Sequence, residues 1–253
     1  LAESADVDPA KVREALMDGT RVVGVRGDTA DGMSKTFHAD AVIDASGRDT
    51  FFASKLGWKK RDADLKKIAI FTYYEGAKRD PGLDEGATTV AYIPDKGWFW
   101  YIPLPQDRVS VGIVAEKDYL YQNTRDPRVI FQREIGTNPW IHHHLASGKQ
   151  GGPYWVTGEY SYRSKYCAAN GLVLVGDAFS FLDPVFSSGV FLALRGGELV
   201  AEAADRALAS GDCSAEKFDR YGKEMNRGLE AMRKLVYAFY DQEFSFRRFI
   251  ERF

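Results

Sequence analysis

Short hydrophobic runs separated by polar turns dominate the first two thirds of the chain and predict mostly β-structure. Runs at 21–26 and 36–38 flank a segment rich in Gly and Asp, which predicts a β-hairpin. Four β-rich runs within 68–114, separated by Gly, Pro and Asp, predict an antiparallel sheet. Residues 119–147 predict helix and loop, and 155–161 predict a further strand.

Two apolar runs of the buried-strand type stand apart from this sheet. The run at 41–43 ends at Asp44 and is followed by a turn at Ser46 and Gly47, and the second run lies at 171–175. Ligands of α/β layers bind where strands end and helices begin. The turns after both runs are therefore candidate sites.

The last third of the chain predicts two helices. The first follows residues 187–189 and ends at the Ser-Gly-Asp sequence of 210–212. In the second, apolar residues recur at steps of three and four, which indicates a face that packs against a core: Phe218, Tyr221, Met225, Leu229, Met232, Val236 and Phe239. The order of elements predicts a mixed α/β (α+β) fold, in which an antiparallel sheet interrupts a nucleotide-binding domain and the C-terminus is helical.

Composition excludes several classes of function. The 253 residues are 45% hydrophobic with a net charge of −2, which is typical of a soluble globular chain and predicts no nucleic-acid partner. No apolar run approaches the ~20 residues of a membrane span, and residues 1–10 do not resemble a signal peptide, so we predict a cytoplasmic protein with no membrane partner. Cys167 and Cys213 form no CxxC pair and are predicted to be reduced and structural.

The second candidate turn carries groups suited to a polar or anionic ligand. Asp177, after Gly176, is placed to accept hydrogen bonds from sugar or ribityl hydroxyls, although the pair is also typical of an ordinary turn. Pro184 fixes the backbone of the next loop. Ser188 and Gly189 then open a helix whose free amides suit an anion, with N-capping by Ser188 as the alternative.

Two motifs resemble those of the FAD-dependent monooxygenase and halogenase superfamily. The sequence GLVLVGDAFSFLDPVFSSGV resembles its second flavin-binding motif, and VIDASGRDT resembles its middle motif. The resemblance implies that Asp177 binds the ribityl chain and that Pro184 lies beside the isoalloxazine ring. The other FAD contacts that it implies are Ser46, Gly47, Gly176, Ala178 and Gly189. In halogenase relatives, backbone amides corresponding to Ser188 and Gly189 hold the halide.

A third motif favours the halogenase branch. Trp98, Trp100, Ile102 and Pro103 match its WxWxIP pattern. Tryptophans two residues apart on a strand share one face, so the resemblance implies that Trp98 and Trp100 form a barrier between flavin and substrate. The alternative is a Trp-rich core strand.

The resemblance also implies a reaction. Reduced FAD (FADH2), supplied by a separate flavin reductase, reacts with oxygen to a hydroperoxide, and chloride or bromide attacks it to give hypohalous acid. The expected substrate is a phenolic, pyrrolic or carrier-protein-tethered aromatic. The halogen-relay lysine of the family and its GxGxxG phosphate turn are expected upstream of Leu1, since the glycines at 24–27 and 148–152 lack that context. The segment alone is therefore predicted to hold little FAD and to be inactive.

The resemblance divides the chain into four segments. Residues 1–56 and 165–211 are predicted to be parts of the FAD-binding domain, 57–164 the antiparallel substrate domain and 212–253 a C-terminal helical segment. Two alternatives stay open: a flavin monooxygenase or geranylgeranyl-reductase-like oxidoreductase, and a non-catalytic remnant that binds a partner.

Other polar residues carry weaker signals. The adjacent histidines at 142–144 lack the spacing of a metal site and predict a solvated loop, so no metal is expected. Arg48 is placed either to contact the cofactor or to cover a helix end. The basic run at 59–61 predicts a solvated face, with docking of a carrier protein as the alternative.

Overall fold

The computed structural model describes residues 10–94, 96–158 and 161–241. They form two compact units. Unit 1 contains the described residues up to Arg61 together with Tyr162–Arg233, and unit 2 contains Asp62–Ser161 and the residues from Lys234 onward. The assignment of the four predicted segments to an FAD-binding domain, a substrate domain and a C-terminal helical segment stays a prediction.

The strands, in chain order, are β1 (Ala10–Asp18), β2 (Arg21–Thr29), β3 (Ser34–His38), β4 (Val42–Asp44), β5 (Lys59–Arg61), β6 (Lys67–Glu75), β7 (Thr89–Ile93), β8 (Gly97–Leu104), β9 (Arg108–Glu116), β10 (Lys149–Gly158), β11 (Tyr162–Ser164), β12 (Ala168–Ala169), β13 (Leu172–Leu174) and β14 (Ser180–Phe181). The α-helices are α1 (Phe51–Lys55), α2 (Lys117–Leu120), α3 (Pro127–Ile135), α4 (Pro139–Leu145), α5 (Gly189–Ala209) and α6 (Asp219–Tyr240). The mixed α/β class, the antiparallel sheet and the C-terminal helix that the sequence predicts are confirmed.

Unit 1 begins with an antiparallel sheet in the order β1-β2-β3. The predicted hairpin of β2 and β3 is confirmed. The sequence did not predict β1, because its charged residues do not alternate with apolar ones. Pairing with β2 decides its conformation, and a cross-strand ion pair of 2.6 Å between Arg13 and Asp28 accompanies that pairing.

The core of unit 1 is built around β13. Leu172 and Leu174 are fully buried, as predicted, and they pack with α5 and α6. Strand β4 pairs with β13 in parallel. The prediction that residues 41–43 are buried is wrong for Ile43, which is 47% exposed, because β4 is at the edge of the described sheet β12-β13-β4.

The two long helices follow their predicted bounds. Helix α5 ends at Ala209, and Ser210 is its C-cap residue. Along α6 the predicted stripe faces a core, since Tyr221 and Met225 are buried. The Tyr221 hydroxyl donates a 2.7 Å hydrogen bond to the Leu174 carbonyl. This bond fixes α6 against β13.

Unit 2 contains a five-stranded antiparallel sheet in the order β10-β6-β9-β8-β7. It confirms the sheet that the sequence predicts, and of the predicted strand at 155–161 residues 159–160 lie outside the described residues. One face of the sheet, with Phe99 and Ile113, packs with Phe131 of α3 and Ile141 of α4. Among the described residues, no helix is long and apolar enough to cross a membrane.

The three adjacent histidines correct a prediction. They lie in α4, which starts at Pro139, and not in a solvated loop. His144 is 3% exposed because the helical period turns it toward the core. Its ring stacks on Trp140 at 3.6 Å, and its Nε2 lies 3.1 Å from Asp80 Oδ1. Within the described ranges, no group of three or more His, Cys, Asp or Glu side chains is arranged to hold a metal.

Candidate functional site

The two turns that the sequence singled out lie side by side. Strands β4 and β13 are parallel neighbours with Ile43 opposite Val173, so both end at the same edge. The turns that follow, Gly47–Asp49 and Gly176–Ala178, pack against each other. In α/β layers, ligands bind at the shared carboxyl edge of parallel strands, and both turns lie at that edge here.

The Asp44 side chain holds the first turn. Its carboxylate is 5% exposed; one oxygen accepts the Ser46 amide at 2.9 Å and the other accepts the Phe52 amide at 2.9 Å. The Ser46 hydroxyl accepts the Phe51 amide, also at 2.9 Å. Asp44 and Ser46 thus satisfy the amides that begin α1. The sequence pattern predicted only that Asp44 ends a strand, although an Asp before small turn residues also indicates this hydrogen-bonding role.

Asp177 occupies the second turn. Gly176 adopts φ +60°, a left-handed conformation that glycine adopts without strain. Burial raises the pKa of the Asp177 carboxyl, and the nearby Arg48 guanidinium opposes that shift. Ala178 is fully buried beneath the turn. Its predicted contact with a cofactor stays a prediction.

A column of two stacked aromatic rings between two cations flanks Asp177. The Tyr162 hydroxyl donates to the Asp177 carbonyl at 3.0 Å, and its ring stacks on Phe181 with the centroids 6.0 Å apart. Arg48 lies 5.4 Å from the Phe181 centroid, and Lys59 lies 4.0 Å from that of Tyr162. The sequence pattern does not predict this column, because β11, β14 and β5 meet only through sheet pairing.

The loop before α5 is tightly held. Asp183 is 1% exposed and accepts the Val185 amide at 3.1 Å, and Pro184 follows it directly. Ser187 adopts φ +51°, which is uncommon for a residue with a side chain. The buried hydrogen bond of Asp183 and the ring of Pro184 therefore fix the backbone just before α5.

The first amides of α5 are not capped by the residue before them. Ser188 precedes the helix, and its side chain makes no capping hydrogen bond. The interpretation of Ser188 as a simple N-cap is therefore wrong. An ideal Cβ placed on Gly189 meets no atom within 4 Å. Amides at the positive end of a 21-residue helix thus border open space.

These groups line one cleft of unit 1 with an empty volume of about 430 Å³. Five predicted residues line it: Gly176, Asp177, Pro184, Ser188 and Gly189. Its apolar wall includes Leu192, Met225 and Leu229. Ser46 and Gly47, in the adjoining turn, are not among the lining residues. The cleft combines a carboxylate acceptor with a helix start, and it can hold a ligand that has both hydroxyls and an anionic edge.

In unit 2, Trp98 and Trp100 share one face of β8, and their ring centroids lie 6.2 Å apart. Trp98 is 2% exposed and donates from Nε1 to the Tyr240 hydroxyl at 2.7 Å. Trp100 is partly exposed and donates to Ser110 Oγ at 3.1 Å. Neither ring belongs to the buried cluster on the opposite face, but Trp98 is itself buried, so the barrier role and the core-strand alternative both stay predictions. Downstream, the partly exposed motif residues Ile102 and Pro103 continue β8.

Gly112 lets the Trp100 ring lie flat on the neighbouring strand, because a Cβ on Gly112 would stand 2.2 Å from that ring. Gly112→Ala is expected to displace the indole, to change its fluorescence and to lower the free energy of unfolding by about 1–3 kcal/mol. Gly86→Ala is the control, since its Cβ meets nothing within 4 Å. Equal melting curves and spectra for the two variants would contradict this packing.

Comparisons with known proteins agree on one family. A family model described as tryptophan halogenase matches residues 7–246. A 1H-pyrrole-2-carbonyl-[peptidyl-carrier protein] brominase of Pseudoalteromonas luteoviolacea is 29% identical over 243 residues, 95% of this chain and 59% of that protein. The corresponding chlorinase of Pseudomonas fluorescens is 26% identical over 218 residues, 84% of this chain and 49% of that protein.

A solved structure indicates the same family as the family model and the two sequence relatives. The myxobacterial chondrochloren halogenase, an FAD-dependent halogenase, superposes with a TM-score of 0.85 and 32% identity over 92% of this chain and 54% of that one. This chain thus spans only about half to three fifths of the length of these relatives.

Proposed function

We propose, from the premise that this chain belongs to the tryptophan halogenase family, that it forms the flavin- and substrate-binding body of an FAD-dependent halogenase. One observation carries the proposal: Asp177, Pro184 and the uncapped start of α5 converge on a single cleft. A hydroxyl acceptor and an anion site side by side are what a ribityl chain and a halide need.

The residues present fit FAD. Asp177 would accept hydrogen bonds from the ribityl hydroxyls, Pro184 would lie against the ring, and Ser46, Gly47, Gly176 and Ala178 would complete the contacts. The backbone amides of Ser188 and Gly189 would hold chloride or bromide. When bound and reduced, FAD supplies the activation of oxygen that oxidation of a halide requires.

The surroundings of the cleft would orient these groups. Asp44 and Asp183 fix the two loops from below through backbone amides. Arg48 favours the ionised state of Asp177, which is the better hydrogen-bond acceptor. The barrier role of Trp98 and Trp100 stays a prediction, and their shared face supports it.

We further propose that the substrate is a pyrrolic or other aromatic acyl group tethered to a carrier protein. Two relatives named above, a brominase and a chlorinase of pyrrolyl carrier proteins, support this class. A separate flavin reductase would supply FADH2, as the family resemblance implies.

The test is the mass of the product formed by the complete enzyme from a pyrrolyl carrier protein, with FADH2 and either halide. A halogenase exchanges hydrogen for halogen only when halide is present. Oxygen insertion that is independent of halide would establish the monooxygenase alternative, and an absence of any turnover with retained partner binding would favour the non-catalytic one.

Gly189→Ala sharpens this test. A methyl group there meets no protein atom within 4 Å, so the variant is expected to fold, yet it crowds the proposed halide position. We expect the KM for halide to rise about tenfold, equivalent to ~1.4 kcal/mol of lost halide binding. Gly197→Ala is the matched control on the same helix, with equal space around it and outside the cleft. An unchanged halide KM in Gly189→Ala would reject this halide position.

A further inference from the structure

Strands β5 and β11 carry a cluster of positive charge in unit 1. Lys60 and Arg163 lie directly opposite each other in antiparallel register, and both are exposed. Lys165 follows β11, is exposed, and places its ammonium 4.8 Å from the centroid of the Tyr166 ring. Lys60, Arg163 and Lys165 are called the basic ribbon below.

Acidic neighbours neutralise the ribbon only in part. Glu230 contacts Arg163 at 3.2 Å, and the same carboxylate also contacts Arg233. Among the described ion pairs, this one carboxylate faces the three cations of the ribbon, so the local charge stays positive although the whole chain carries −2. Like charges directly opposite each other destabilise a sheet. The pairing of Lys60 with Arg163 therefore does not stabilise the sheet, and an anionic partner would relieve the repulsion between the two side chains.

The ribbon is hydrogen-bonded to the wall of the cleft. On its other side β11 pairs with β14, with Arg163 opposite Ser180. Ser180 and Phe181 line the cleft. Neighbouring strands lie about 5 Å apart, so a group held at β5 or β11 is one or two strands from the β14 segment of that wall.

Exposed aromatic surface adjoins the charge. Tyr166 is 47% exposed, and Trp58 packs edge-on against it with the ring centroids 5.3 Å apart. Tyrosine, tryptophan and arginine are enriched at protein interfaces, and a guanidinium or ammonium suits a phosphate oxygen. The combination fits a protein that is acidic and carries a phosphodiester.

We propose that the basic ribbon docks an acidic carrier protein, whose acyl substrate hangs on a phosphodiester-linked thiol arm. The inference rests on the proposed function, because a carrier-tethered substrate requires that the enzyme bind the carrier. Exposed cations steer association and orient the partner. Docking at β5 and β11 would bring the base of the arm beside the flavin cleft.

The experiment compares two charge-reversal variants of the complete FAD-loaded enzyme. Lys60→Glu/Lys165→Glu reverses the ribbon, and Lys11→Glu/Lys35→Glu makes the same change on exposed positions of β1 and β3. The probes are a fluorescently labelled pyrrolyl carrier protein for binding and a carrier-free pyrrolyl thioester for turnover. The ribbon variant is expected to bind the carrier about tenfold more weakly, with a smaller dependence on salt. Its turnover of the free thioester and its FAD content should match those of the control.

Three outcomes overturn the inference. Equal carrier affinity in both variants rejects the ribbon as the docking surface. Loss of turnover only when a flavin reductase supplies FADH2, and not with chemically reduced flavin, assigns the ribbon to the reductase instead. Halogenation of free aromatics without binding of the carrier rejects both docking and the carrier-tethered substrate, while the proposed halogenase activity stands. If no substrate is halogenated, the proposed function fails, and the binding measurement still decides whether the ribbon takes the carrier.

Discussion

Asp177→Ala is expected to weaken FAD binding by about 10- to 100-fold, which corresponds to the ~1.5–3 kcal/mol of a hydrogen bond to a charged group. The carboxylate lines the cleft, and no other carboxylate is among the residues that line it. Flavin fluorescence titration of the complete enzyme measures the change. Asp205→Ala, exposed on α5, is the control. Unchanged FAD affinity in Asp177→Ala would place the ribityl chain elsewhere.

In the flavin-free protein, removal of the Asp177 charge is expected to be stabilising, although the same change weakens FAD binding. Because burial raises the pKa of Asp177, the folded state holds its proton more tightly than the unfolded state does. The ionised carboxylate therefore lowers the stability of the folded state once the pH rises above 3.8, the ordinary pKa of an Asp side chain. Asp177→Asn is expected to raise the melting temperature of the flavin-free protein at neutral pH, while it weakens FAD binding. A lower melting temperature would show that Asp177 supports the fold itself.

Asp44→Ala is expected to lower the free energy of unfolding by about 3–5 kcal/mol. It removes two acceptors from the Ser46 and Phe52 amides in a nearly dry position, and each unsatisfied buried group costs about 1–3 kcal/mol. Asp44→Asn keeps one acceptor, so its free energy of unfolding should lie between those of the unchanged protein and of Asp44→Ala. Urea unfolding of the flavin-free protein measures the loss, with Asp40→Ala, exposed, as the control. A loss below ~1 kcal/mol in Asp44→Ala would mean that water replaces the carboxylate.

The sequence by itself determined the local elements and the family. The stripe of α6, from Tyr221 to Val236, shows the period of a helix with one buried face, and the runs of β6 to β9 show that of strands. These patterns arise from the geometry of the backbone, which fixes the side-chain period before any tertiary contact forms. The glycine and proline positions of the two turns are local in the same sense. Gly176 has the positive φ that a tight turn needs.

Only the tertiary structure decided which groups meet and which are satisfied. Strand β1 forms because β2 offers it a partner, and His144 is buried because α4 packs on a sheet assembled from distant residues. Both carboxylate oxygens of Asp44 accept hydrogen bonds from neighbouring amides, whereas the Ser188 side chain makes no capping hydrogen bond to its helix. Tyr162, Phe181 and Lys59 form one column across three strands. Hydrogen bonding, burial and charge act between atoms that chain folding brings together, and a one-dimensional pattern carries no distance between residues far apart in sequence.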